Sequence, residues 1–102
     1  MQLVAETAGA RSVYHLNVAL VPRRDDVRDE LMQRGIQTGV HYPIPCHFQP
    51  AYASAARTQR LPVAELTAPR LLSLPLTPHM DVRDVDRVCE VLMEVTANEE
   101  PT

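Results

Sequence analysis

The side chains best suited to chemistry are concentrated in one short segment, residues 41–52, which we call the proline loop. They comprise two histidines, one cysteine, one glutamine and two tyrosines: His41, Tyr42, Cys46, His47, Gln49 and Tyr52. Three prolines stiffen the segment, because each proline fixes its own φ angle and restricts the residue before it. A stiff loop that presents imidazole, phenol and amide groups loses little conformational entropy when it binds a ligand. The residue types leave two interpretations open: a ligand-facing loop, or only a rigid connection.

A metal site or a catalytic pair in this loop is a weaker hypothesis. The available metal ligands are His41, Cys46, His47 and His79, and their spacing matches no common zinc pattern. Cys46 and His47 are neighbours in an extended segment, so their side chains point in opposite directions and do not form a nucleophile–base pair. The three glycines are too few for a glycine-rich phosphate loop. We therefore predict no metal site and no catalytic residue.

All ten basic residues are arginines, and the chain has no lysine. A lysine amine is required for a Schiff base with a carbonyl substrate or cofactor. A guanidinium cannot replace it, because it stays protonated at any working pH. Lysine-dependent covalent catalysis is therefore excluded for this chain acting alone.

The composition is that of one folded domain. The 102 residues are 45% hydrophobic and 23% charged, which is typical of a globular protein. The net charge of −3 gives no electrostatic reason to expect a nucleic acid or an acidic membrane as partner. No apolar run approaches the ~20 residues that span a bilayer, and the first eleven residues do not resemble a signal peptide. We expect a cytoplasmic protein, with Cys46 and Cys89 as free thiols.

The first half of the chain shows a β-α-β pattern. Strict alternation over Ser12–Val21 predicts a strand that Pro22 ends. Residues 23–36 are typical of a helix, with two aspartates in the first turn and Gly35 as the left-handed C′ residue. Ile36–Tyr42 is predicted to be extended, where Gly39 either weakens the strand or allows something to approach the backbone closely.

The second half continues with shorter elements. Residues 51–60 are predicted to form a short helical turn, and Pro62–Ala68 a short helix that Pro69 ends. Leu71–Leu76 is predicted to be an apolar strand. Asp81 and Asp84 indicate a capping box at the start of a last helix. Five residues of that helix share one face and are predicted to lie in the core: Val85, Val88, Cys89, Leu92 and Thr96.

This order of elements predicts an α/β domain in which helices are layered on a small sheet. We place its boundaries at residues 12–97, with residues 1–11 as a tail or linker and residues 98–102 as a second tail. The sheet is expected to have about three strands, covered by two or three helices.

The segments VYHLNVALVP, GIQTGVHYPIPCHFQPAY, LPVAEL and LSLPLTPHM follow one another in an order that resembles a known family. They are similar to the C-terminal part of the DegT/DnrJ/EryC1/StrS aminotransferases, over residues 11–95. The resemblance implies the small domain of a fold-type I enzyme dependent on pyridoxal phosphate, with a largely antiparallel sheet. It also implies a role in polysaccharide or antibiotic sugar biosynthesis, by amino transfer from glutamate to a nucleotide-linked keto sugar.

The resemblance also implies where the substrate lies. His41 and Tyr42 match positions near the sugar-nucleotide side of the family's active-site cleft, and His47, Gln49 and Tyr52 match the loop that follows. None of the five is expected to be catalytic. The chain departs from the family at Asn17, where an aromatic residue is common, and at Cys46, where an aliphatic residue is common.

Two functions follow from the resemblance. The first is a small-domain fragment, inactive alone, whose partner is a missing large domain or a homologous aminotransferase subunit that carries pyridoxal phosphate. The alternative is a stand-alone module that binds a nucleotide sugar or pairs with an aminotransferase. In both, the face that normally packs on the large domain is exposed, so we expect self-association.

Overall fold

The structure is a computed structural model, and it describes residues 1–54 and 60–97. These residues form three strands, three α-helices and three short 3-10 turns. The strands are β1 (Gln2–Leu3), β2 (Asn17–Leu20) and β3 (Leu71–Leu74), and the helices are α1 (Arg24–Gln33), α2 (Pro62–Thr67) and α3 (Val82–Thr96). The 3-10 turns are Cys46–Phe48, Pro50–Tyr52 and Ala68–Arg70. The predicted fold class is confirmed.

The sheet is antiparallel, and β2 lies at its centre, with β1 on one side and β3 on the other. Ala19 of β2 faces Leu72 of β3, and both are fully buried. They belong to one core with side chains from α1 and α3, which therefore cover this face of the sheet. Val18 and Leu20 point to the opposite face and are only half-buried there, because side chains alternate along a strand.

Two predicted strands are shorter than expected. Only the last part of the Ser12–Val21 segment is a strand, because Tyr14 has a φ of 51° and breaks the extended conformation before Asn17. The third predicted strand ends at Leu74, where Pro75 follows and cannot donate a ladder hydrogen bond.

The prediction that Ile36–Tyr42 forms a strand of the sheet is wrong. This segment contributes a single bridge, between Gly39 and Ser73. The third strand of the sheet is Gln2–Leu3, which lies in the range expected to be a tail or linker. Two exposed residues at the edge of a sheet carry no alternation that a sequence pattern can detect.

Helix α1 ends as predicted. Gly35 has a φ of 80°, and its N–H donates to the Met32 carbonyl at 3.0 Å. The Ile36 N–H donates to the Leu31 carbonyl at 2.8 Å, which completes a Schellman motif. The motif turns the Ile36 side chain back into the core, where it is 4% exposed.

The starts of the other two helices also agree with the sequence. Pro62 is the first residue of α2. At α3, the Asp84 N–H donates to Asp81 Oδ1 at 3.0 Å and the Asp81 N–H donates to Asp84 Oδ2 at 3.1 Å, so the predicted capping box is present.

The predicted core face of α3 is only partly right. Val91, Leu92 and Val95 are buried, and Val88 packs against them. Cys89, predicted to be core, is exposed, and Val85 is 47% exposed. Val85 and Cys89 line an open groove of about 210 Å³ beside residues 74–77, which leaves both side chains exposed.

A buried arginine connects α1 to the start of β3. Arg24 is 8% exposed, and its Nη1 donates to the carbonyls of Ala68 and Leu71 at 3.0 and 3.1 Å. Its Nε donates to Asp25 Oδ1 at 2.8 Å. These bonds provide partners for the buried Arg24 guanidinium and for the carbonyl groups of Ala68 and Leu71.

Two predictions fall partly or wholly outside the described residues. The helical turn predicted for residues 51–60 includes residues 55–59, and the predicted C-terminal tail is residues 98–102. Within residues 1–54 and 60–97, no helix is both long and apolar enough to cross a membrane.

The Schellman motif yields a stability prediction. Gly35→Ala should destabilise the chain by about 1–2 kcal/mol, because an L-residue is strained at a positive φ. A new Cβ would meet no atom within 4 Å, so backbone strain is the only cost. Urea denaturation measures this loss, and Gly35→Asn, which tolerates the left-handed region better, should lose less. Equal midpoints for wild type and Gly35→Ala would contradict the assignment.

Candidate functional site

The proline loop begins at a bridge to the sheet. The Gly39 N–H donates to the Ser73 carbonyl at 3.0 Å, and the Ser73 N–H donates to the Gly39 carbonyl at 2.8 Å. Ser73 is 5% exposed and lies in the middle of β3, opposite Val18 of β2. The bridge therefore fixes the backbone two residues before His41 to a buried position of the sheet.

The His41 ring folds back over this bridge. Its Nδ1 lies 2.9 Å from the Ser73 hydroxyl oxygen. A Cβ at position 39 would lie 2.8 Å from His41 Cε1, closer than non-bonded carbon atoms approach one another. The sequence allowed two roles for Gly39, and the structure shows the second one: the glycine admits the imidazole against the backbone.

Tyr42 continues the site on the exposed side. The residue is 72% exposed, and its ring lies 5.4 Å from the His41 ring, at an interplanar angle of 79°. A cis peptide bond joins the two residues. His41 also lines a shallow groove of about 260 Å³ with His15, Gln37 and Ser73. Two imidazoles, an amide and a hydroxyl thus line this groove, and the Tyr42 ring contacts the His41 ring.

His47 lies inside the loop and not on its surface. Its side chain is 6% exposed and packs beside the Phe48 ring, with a centroid distance of 4.2 Å. Its Nε2 lies 3.4 Å from Glu65 Oε2 of α2, an electrostatic contact that lacks the geometry of a hydrogen bond. His47 therefore connects the proline loop to α2.

Glu65 is the acceptor at the centre of this connection. Its Oε2 accepts the Leu61 N–H at 2.6 Å, and its Oε1 lies 3.2 Å from Arg60 Nη2. Burial alone raises the pKa of the Glu65 carboxyl, but the Leu61 N–H, the Arg60 charge and the His47 imidazole together outweigh it. The net effect is a pKa below the usual 4.5, so the site favours the carboxylate.

The remaining predicted residues have different roles in the loop. Gln49 Nε2 donates to the Ile44 carbonyl at 3.3 Å, and the Gln49 carbonyl accepts the Tyr52 N–H at 2.9 Å. Gln49 therefore braces the loop from within, whereas the Tyr52 ring is 56% exposed. Cys46 is an exposed free thiol.

The structure thus separates the five predicted residues into two pairs and one residue apart. His41 and Tyr42 meet at one place, and His47 and Gln49 hold the loop from inside, with Tyr52 exposed at its end. Sequence reasoning missed Ser73 and Glu65, the two residues that position the histidines. The available signal for Ser73 was a lone hydroxyl inside the apolar run Leu71–Leu76, but nothing in the sequence indicates its partner.

A larger groove, of about 470 Å³, lies away from these residues. It runs between the N-terminal segment and the second face of the sheet, where Leu16, Val18 and Leu71 line it. The pKa of Tyr14 at its rim is raised, first by a hydrogen bond with Glu6, then by the charge of Glu6 and by burial. The groove contains none of the predicted site residues and is mainly an apolar surface.

Comparison with known proteins identifies the family of this chain. The sequence model of the DegT/DnrJ/EryC1/StrS aminotransferase family matches residues 1–93. The chain belongs to this family. Its predicted resemblance is therefore confirmed, and the match begins at the N-terminal strand.

Several relatives in the family are nucleotide-sugar aminotransferases. The chain is 43% identical, over 83 residues, to the dTDP-3-amino-3,4,6-trideoxy-alpha-D-glucose transaminase of Streptomyces venezuelae, covering 80% of this chain and 22% of that protein. It is 37% identical, over 92 residues, to the UDP-N-acetyl-3-dehydro-alpha-D-glucosamine 3-aminotransferase of Acidithiobacillus ferrooxidans, covering 90% and 25%. The chain thus spans about a quarter of the length of these relatives.

Solved structures of the family share the fold. The crystal structure of S. venezuelae DesV in complex with a ketimine intermediate superposes with a TM-score of 0.86 at 37% identity, over 99% of this chain and 27% of that one. A DegT/DnrJ/EryC1/StrS aminotransferase from Brucella abortus gives a TM-score of 0.82 at 27% identity, over 95% and 26%. In those two structures, the part that matches this chain is about a quarter of a longer chain.

The family depends in general on pyridoxal phosphate, and the residues of this chain do not fit that group. Covalent attachment of the aldehyde uses a lysine amine, and the chain has none. Its three glycines are dispersed, at positions 9, 35 and 39, and form no phosphate-binding loop. Within the described ranges, no cluster of three or more His, Cys, Asp or Glu side chains could hold a metal ion.

The lowered pKa of Glu65 yields a pH prediction. Its carboxylate stabilises the fold at all pH values above 4.5, and this contribution is lost as the pH falls through the lower pKa of the folded state. Glu65→Gln should therefore be less stable than wild type at neutral pH, and the difference should shrink at an acidic pH below 4.5. Urea unfolding at the two pH values measures it.

Glu90→Gln, which removes one carboxylate from an exposed position of α3, is the matched control. The stability difference between Glu90→Gln and wild type should not shrink at the lower pH. A Glu65→Gln difference that stays constant between the two pH values would contradict the account of this cluster.

Proposed function

We propose that this chain is the small-domain portion of a nucleotide-sugar aminotransferase dependent on pyridoxal phosphate, and that it is not catalytic alone. In the whole enzyme, an amino group passes from glutamate to a keto sugar. The observation that carries the proposal is the continuous match of the chain to sugar transaminases, at 43% identity over 80% of its length in one case. The match includes the proline loop and the strand that holds it.

The proline loop is proposed as the part that faces the sugar nucleotide. His41, Tyr42 and Tyr52 are exposed and offer hydrogen-bonding groups suited to sugar hydroxyls and phosphate oxygens. His47 and Gln49 belong to the same proposed site and act from inside the loop, where they fix its shape. The names of the relatives include both dTDP- and UDP-linked sugars, so the proposal covers nucleotide sugars as a class.

The proposed partner is the portion of an aminotransferase that this chain does not include, supplied by a large domain or by a homologous subunit. Two observations support it: the chain spans 22–25% of its relatives, and the second face of its sheet is apolar. That portion would supply the lysine that binds pyridoxal phosphate. The same apolar face supports self-association of the isolated chain, and the composition supports a cytoplasmic location.

A chimaera tests the proposal directly. This chain replaces the matched part of the S. venezuelae transaminase, and transamination of that enzyme's own substrate is measured. We expect the chimaera to bind pyridoxal phosphate and to turn over. Within it, His41→Gln should lower kcat/KM about tenfold, the effect of losing one hydrogen bond of ~1.4 kcal/mol.

Met32→Gln, on the exposed side of α1, is the matched control and should leave kcat/KM unchanged. A chimaera that binds pyridoxal phosphate normally but transfers no amino group would contradict the proposal. If that chimaera still bound a nucleotide sugar, the stand-alone binding module would be favoured instead.

A further inference from the structure

We propose that Ser73 and Gly39 are positioning residues that hold His41 in the tautomer protonated on Nε2, so that the site presents a hydrogen-bond donor to its ligand. The ligand group that meets Nε2 is then an acceptor oxygen, of a sugar hydroxyl, a carbonyl or a phosphate. The choice of ligand rests on the proposed function, whereas the tautomer does not.

The Ser73 hydroxyl determines which nitrogen of His41 carries the proton. Ser73 is only 5% exposed, so water has little access to its O–H and an acceptor within the protein is favoured. In the part of the chain that the structure describes, the hydrogen-bond partner of this hydroxyl is Nδ1 of His41, at 2.9 Å. If Nδ1 carried the proton and donated to the hydroxyl oxygen, the hydroxyl proton would be left without an acceptor in a buried position. Leaving a buried donor unsatisfied costs about 1–3 kcal/mol.

The need of the Ser73 hydroxyl for an acceptor therefore determines the tautomer of the His41 ring. Ser73 donates, Nδ1 accepts, and a neutral imidazole with an unprotonated Nδ1 carries its proton on Nε2. Nδ1 is occupied by the strand, so Nε2 is the nitrogen left for a ligand at the groove that His41 lines. A neutral His41 of this kind binds acceptor oxygens and does not accept a proton at Nε2.

Gly39 makes the contact possible. Its two hydrogen bonds with the Ser73 backbone set the distance between the loop and the strand. Because a Cβ at position 39 would lie 2.8 Å from His41 Cε1, any other residue would push the ring away from the hydroxyl. Gly39 and Ser73, which are distant from each other in sequence, thus together fix the position of His41 Nδ1.

Long-range ¹H–¹⁵N NMR of the imidazoles, recorded on the ligand-free chain, tests this inference. At about pH 8.5, above the ordinary histidine pKa of about 6.5, the rings are neutral and each nitrogen reports its proton. Signals of His41 are identified by their loss in His41→Gln. His79 is exposed and serves as an internal reference for a ring free to exchange between tautomers.

We expect wild-type His41 to show a protonated Nε2 and an unprotonated Nδ1 more completely than His79 does. Ser73→Ala and Gly39→Ala should each move the His41 pattern towards that of His79, while the amide signals of α1 and α3 report that the fold is kept. A His41 protonated on Nδ1, or one that matches His79 in the wild type, would overturn the inference. The wild-type spectrum decides even if a variant does not fold, and it needs no bound nucleotide sugar.

Discussion

The pair of backbone hydrogen bonds between Gly39 and Ser73 is the constraint on which the site depends. Ser73 follows Leu72, whose side chain is fully buried in the core against α1 and α3. Strand alternation sends the Ser73 hydroxyl to the opposite face, towards the loop. Packing of the core therefore determines where the proline loop begins, and the contact between His41 and Ser73 determines how its first side chain is oriented.

The architecture and the family together suggest that substrate binding and cofactor chemistry belong to different parts of the enzyme. Helices cover one face of the sheet, and the other face is apolar and bordered by a groove. The loop presents groups that hydrogen-bond, and the chain has no lysine amine that could hold an aldehyde cofactor. The proposed role of such a unit is recognition of a substrate, with the chemistry supplied by another part of a larger enzyme; the chain spans about a quarter of its relatives.

Local signals allowed much of this fold to be predicted. The Gly35 turn and the Asp81 capping box depend on neighbouring residues, so the sequence alone identifies them. The contacts of His41 with Ser73 and of His47 with Glu65 join residues distant in the chain, and no periodicity reveals them. Cys89 has the spacing of a core residue but lies beside an open groove. The spacing identifies the apolar face of α3, but it does not show how much of that face the rest of the domain covers.

The central proposal is that this chain contributes to a substrate site and, having no lysine, does not anchor the cofactor, and one measurement tests it most directly. The 102-residue chain is incubated with pyridoxal phosphate, reduced with borohydride and analysed by mass spectrometry, and in parallel it is assayed with glutamate and a nucleotide-linked keto sugar. The account predicts that any adduct is confined to the N-terminal amine and that no amino sugar forms. Conversion of the keto sugar by the chain alone would contradict it.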